Sequence, residues 1–60
     1  MKFTIEINCG NESFGDYPSV ELHRILEEYT YKLEHWGEGI PTGKLFDYNG
    51  NSVGMVKVEE

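Results

Sequence analysis

Sixty residues carry eleven acidic and five basic side chains, a formal charge of −6 at pH 7. Nucleic-acid affinity comes mainly from Lys and Arg neutralising phosphates, so this balance excludes a phosphate-backbone binder, and no direct nucleic-acid contact is expected. A chain this short buries only about 60% of the surface that its unfolded form exposes, yet 38% hydrophobic and 13% aromatic residues are too rich for a disordered tail.

Residues 1–60 are expected to form one domain. Cys9 is the single cysteine, so an intramolecular disulfide is excluded and a reducing cytoplasm is the expected setting. The opening Met1-Lys2-Phe3-Thr4-Ile5-Glu6 lacks the apolar run of roughly 7–15 residues that a signal peptide needs. No stretch approaches the ~18 apolar residues of a membrane span, so no membrane partner is expected.

Lys2 to Asn8 alternate strictly, with Phe3, Ile5, Ile7 and then Cys9 on one side. Period two predicts a half-buried strand. Gly10 to Asp16 are turn formers, and Phe14 among them is expected to plug one end of the core. A helix is predicted from Pro18, whose fixed φ suits the first helical position, to about Trp36, stopping at Gly37. Leu22, Ile25, Leu26, Tyr29, Leu33 and Trp36 share one face of it and are the expected core.

After a loop from Glu38 to Gly43, Lys44 to Tyr48 and Asn51 to Val58 read as two strands. Asn49-Gly50 between them suits a two-residue type I′ hairpin, which pairs Tyr48 with Asn51 and Phe46 with Val53. Gly54 interrupts the alternation and marks a bulge that switches the buried face. The predicted class is α+β, in the order β-α-β-β, with one helix on a three-stranded, mainly antiparallel sheet. The third strand is placed centrally, leaving the first and second as edges.

The opening Phe3-x-Ile5-Glu6-Ile7, the helical Glu21-Leu22-x-Arg24-Ile25-Leu26 and the closing Leu45-x-Asp47-x-Asn49-Gly50-Asn51-x-Val53-Gly54 together resemble small acidic proteins of phage and prophage genomes. The resemblance spans most of the chain but assigns no role to particular positions. It implies a setting, a mobile element expressing a small accessory protein in a bacterial host cytoplasm. Inhibitors of host defence, notably anti-CRISPR proteins, are of this size and charge.

Catalytic and metal chemistry find little support. Cys9, His23 and His35 form no metal-ligand spacing, and the two histidines lie some 18 Å apart along a helix. Cys9 continues the inward series of the first strand and is expected at the core edge rather than as a nucleophile. The acidic pairs read as solvated surface charge, and the glycines match no phosphate-binding loop. No enzyme, cofactor or metal site is expected.

The informative feature lies on the helix's other face. With Leu22 marking the core direction, Tyr31 points about 180° away, among Arg24, Glu27, Glu28, Glu34 and His35. Arg24–Glu28 and Glu28–Lys32 are i,i+4 pairs, which explains the charges but not an aromatic in their midst. Tyr31, Glu27, Glu28, Glu34 and Arg24 are therefore the candidate protein-binding residues. The expected function is a non-enzymatic acidic interaction protein, a phage-type inhibitor that binds a host protein with a basic surface. The alternative is a self-associating module that forms a homodimer through an edge strand.

Overall fold

The computed structural model describes all 60 residues and gives β1 (Lys2–Ile7), a single 3-10 turn (Glu12–Phe14), α1 (Pro18–Glu34), β2 (Gly43–Phe46) and β3 (Ser52–Glu59). The sheet order is β1-β3-β2 with both pairings antiparallel, so the predicted α+β class and central third strand hold. Pro18 occupies the first turn of α1 as its sequence position suggests.

Alternation along β1 puts Phe3 against Tyr29, ring centroids 6.3 Å apart, and packs Ile5 and Ile7 on the core. Lys2, Thr4 and Glu6 stand on the opposite, open face. Across β3 the inward partners of Phe3, Ile5 and Ile7 are Val58, Val56 and Gly54. Val53 is also buried, two consecutive residues before Met55 turns outward, because β3 carries an extra residue where the β2 register shifts between Leu45 and Phe46. This is the bulge expected at Gly54. A side chain there is impossible for a second reason: a Cβ on Gly54 would lie 2.2 Å from the Glu6 carbonyl oxygen.

The hairpin turn differs from expectation. Gly50 N–H donates to the Asp47 carbonyl at 3.0 Å and Asp47 N–H to the Asn51 carbonyl at 2.9 Å. Gly50 has φ 86° while no non-glycine residue has positive φ, which excludes type I′. The connection is a three-residue loop with a type I-like turn closed by a left-handed glycine. The pairing shifts accordingly, and Phe46 stands opposite Ser52 instead of Val53.

The core comprises Phe14, Ile25, Tyr29, Leu45, Val53 and Val56, with Phe14 closing one end as anticipated. The phase of α1 is the main correction. Glu21, Ile25 and Tyr29 are its buried residues, whereas Leu26, Leu33 and Trp36 are 37%, 40% and 49% exposed. The buried stripe is rotated toward Glu21, and nothing in α1 after Tyr29 is buried. Trp36 also lies past the end of the helix, where the helical period no longer governs it.

Candidate functional site

Two groups of polar side chains define what the surface of α1 can do. The first faces the sheet. Arg24 sits one turn from Glu21 and grips it side-on, Nε to Oε1 and Nη2 to Oε2 both at 2.9 Å. The same guanidinium donates to the Phe46 carbonyl at 3.1 Å and to Glu28 at 2.5 Å. Glu21, only 5% exposed, also accepts the Tyr48 N–H at 2.9 Å. The Arg24 hydrogen bonds hold the Glu21 carboxyl below its ordinary value against the opposing effect of burial. These contacts tie α1 to the end of β2, so a candidate binding residue, Arg24, is committed to the fold as well as to the surface.

Next to this clamp, Asp47 is a buried hub. Its carboxylate accepts Asn49 N–H at 2.9 Å, Asn51 N–H at 2.8 Å and the Asn11 side chain at 2.8 Å. Burial alone would raise its pKa, but the hydrogen bonds from Asn51, Asn11 and Ser13 outweigh that and leave it well below the usual carboxylate range. Asn11 in turn accepts Ser13 N–H at 2.9 Å and caps the 3-10 turn that carries Phe14. Neither Glu21 nor Asp47 is among the candidate binding residues that the sequence suggests. Asp at the first position of a turn ahead of Asn-Gly was the available signal for the second.

The second group faces solvent. Tyr31 is 66% exposed and its ring lies 4.3 Å from that of His35, whose Nδ1 is 3.0 Å from the Tyr31 carbonyl oxygen. Glu27 and His23 are exposed and paired at 3.3 Å, and Glu34 is exposed two turns on from Glu27. Because the buried stripe centres on Ile25, Tyr31 stands about 120° around the helix from it, on the flank above β2 rather than at the pole. Tyr31, Glu28 and Arg24 therefore share that flank, while Glu27 and Glu34 occupy the pole beside it.

Other sequence candidates are dispersed. Cys9 is half-buried against the core, and His23 and His35 sit more than three helical turns apart with separate partners. No three His, Cys, Asp or Glu side chains converge. The groove between α1 and β2, lined by Ile25, Glu28, Tyr29, Lys32, Lys44 and Phe46 among others, holds about 90 Å³, and larger depressions, such as the one of about 480 Å³ beside Asn8, Asn11 and Ser52, lie open to solvent. No helix is long and apolar enough to cross a membrane. Comparison with protein-family models, with curated proteins and with solved structures finds no match for this chain.

Proposed function

We propose that this chain is a non-enzymatic interaction protein whose exposed carboxylates on the outer side of α1 cover a basic surface of a partner macromolecule. The observation that carries the reading is Tyr31, two-thirds exposed among Glu27, Glu28 and Glu34, with its ring already set against His35. An aromatic held in one orientation loses little freedom on binding, which is what makes tyrosine an effective anchor.

The distribution of charge supports it. Lys2, Lys44 and Lys57 stand on the open face of the sheet with Glu6 and Glu59, so the rest of the surface is left strongly acidic. In the bacterial setting that the sequence resemblance implies, the partner class is a host defence protein that uses Lys and Arg to hold phosphate. Carboxylates presented to those groups compete with nucleic acid, in the manner of an anti-CRISPR inhibitor, and the competition weakens as salt screens it.

The test begins with capture of a partner from bacterial lysate on the immobilised chain. Titration then compares wild type with the Glu27→Lys, Glu34→Lys double variant. Loss of binding with an unchanged melting temperature is expected. Equal affinity of the two would overturn this reading and move the interface off α1.

A further inference from the structure

β1 is an edge strand with little of the usual protection. Natural edges are kept short, bulged, interrupted by proline or lined with charge, and of these β1 has only Lys2 and Glu6, opposite in sign. β2, the opposite edge, has four residues and faces the β3 bulge. β1 runs six residues with neither Gly nor Pro, and its pairing with β3 is regular from Lys2↔Glu59 to Ile7↔Gly54. The Asn8 N–H donates to the Val53 carbonyl at 2.7 Å, which puts the even-numbered residues in the bonded pairs with β3. The N–H and C=O groups of Phe3, Ile5 and Ile7 therefore point to the open edge.

Above that edge α1 carries an apolar stripe. Arg24 holds one flank of the helix to Phe46 of β2, while Tyr29 stacks on Phe3, so the flank with Leu22, Leu26 and Leu33 lies toward β1. Ser19 and Thr30 beside the leucines are uncharged, and the nearest carboxylates turn away toward the pole. The chain exposes 4627 Å², whereas a compact monomer of its mass exposes about 4,000 Å². Its radius of gyration, 12.1 Å, likewise exceeds the ~10.4 Å expected of sixty compact residues. The excess of about 600 Å² approaches the ~800 Å² that each partner buries in a standard interface.

We propose that this surface binds a second copy of the chain. β1 pairs antiparallel with β1 of the copy about a twofold axis perpendicular to the sheet, and the leucine stripes of the two helices close over the seam. Directly opposed residues share a face, so the axis must pass through a residue pair rather than between pairs. Centred on Thr4, the register sets Phe3 opposite Ile5 of the second copy, and the edge N–H and C=O groups of both supply the hydrogen bonds. It also sets Lys2 opposite Glu6 of the second copy on the open face, twice by symmetry. This charge complementarity selects it over the register centred on Ile5, which opposes Thr4 to Glu6. The acidic side of α1 stays outside the interface, so the inference stands apart from the proposed partner reading.

Sedimentation equilibrium on the full chain, from low micromolar to millimolar concentration, tests it. At the upper end the expected mass is twice the 6.9 kDa of one chain. Lys2→Glu or Glu6→Lys alone should raise the dissociation constant roughly 2- to 30-fold, and combining them should restore it. Both residues are exposed, so melts by circular dichroism should show the variants folded. Leu26→Lys should leave only single chains. A single-chain mass at every concentration overturns the proposal, and so does a dimer that neither charge variant weakens or that the double variant fails to restore.

Discussion

Arg24 and Glu21 meet side-on, two nitrogens against two oxygens at 2.9 Å, on a helix turn where the carboxylate is buried and the guanidinium only partly so. The pair is asymmetric in consequence. Removing Arg24 leaves Glu21 buried with only the Tyr48 N–H, whereas replacing Glu21 by Gln leaves Arg24 able to reach water and Glu28. Leaving a buried charge unpaired is the costlier fault. Arg24→Ala is therefore expected to lower the melting temperature more than Glu21→Gln. Equal or reversed effects in thermal melts would show that the clamp is not holding α1 to the hairpin.

Acid stability follows from the same chemistry. Glu21 and Asp47 both have folded pKa values below their ordinary 4.5 and 3.8. Between the folded and unfolded values the unfolded chain binds more protons, so stability is complete above about pH 5 and falls as pH drops through 4 and below. Tyr29 acts in the opposite direction. Burial raises its pKa above 10.0, so its contribution is complete below pH 10 and is lost as pH rises beyond. Melting temperatures measured across pH should form a plateau with both shoulders. Asp47→Asn should lower the plateau and flatten its acid side.

The two decisive glycines of the hairpin fail differently when substituted. Gly54→Ala drives a methyl group into the Glu6 backbone at 2.2 Å, so β1 and β3 must separate. Overpacking of this kind costs about 1–3 kcal/mol and more where backbone cannot yield. Gly50→Ala meets open space but must hold φ near 86°, a strain of about 1–2 kcal/mol. Chemical denaturation should therefore rank Gly54→Ala as the more damaging. Loss of β1 pairing should also show as faster amide exchange at Asn8.

Core substitutions separate the observed helix phase from the one that periodicity alone suggests. Ile25→Ala should cost about 2–5 kcal/mol, because Ile25 is fully enclosed among Tyr29, Leu45 and Val56. Leu26→Ala, at a site over a third exposed, should cost about 1 kcal/mol or less in dilute solution. Denaturation midpoints that place Leu26 above Ile25 would reverse the phase.

That phase explains what was legible in the sequence. Alternation of Phe3, Ile5 and Ile7, the stop at Asn49-Gly50 and the parity break at Gly54 are local patterns, and each maps directly onto a strand, a turn or a bulge. The inward turn of Glu21 is not local. It depends on the Tyr48 N–H, 27 residues away, and on the Phe46 carbonyl that receives Arg24. Hydropathy counts Glu21 as surface and Leu33 as core, so it rotates the helix away from the clamp. The exposure of Glu27, Tyr31 and Glu34 was legible all the same, because the rotation still leaves them clear of the buried stripe.

Tyr31 provides the sharpest test of the outer face. It contributes nothing to the core, and its ring contact is with His35, itself exposed. Tyr31→Ala should therefore leave the melting temperature within a degree or two of wild type. Binding to the captured partner should nevertheless weaken by about 1–3 kcal/mol, the loss expected when an interface anchor is truncated. Tyr31→Phe keeps the ring and its place beside His35, so it should retain most of the affinity if stacking is the main contribution. A deficit as large as that of alanine would assign the anchor to the hydroxyl. Raising salt should weaken wild type and Tyr31→Ala by the same factor, since the ring carries no charge. If titration calorimetry finds Tyr31→Ala indistinguishable from wild type, the partner does not contact this flank of α1.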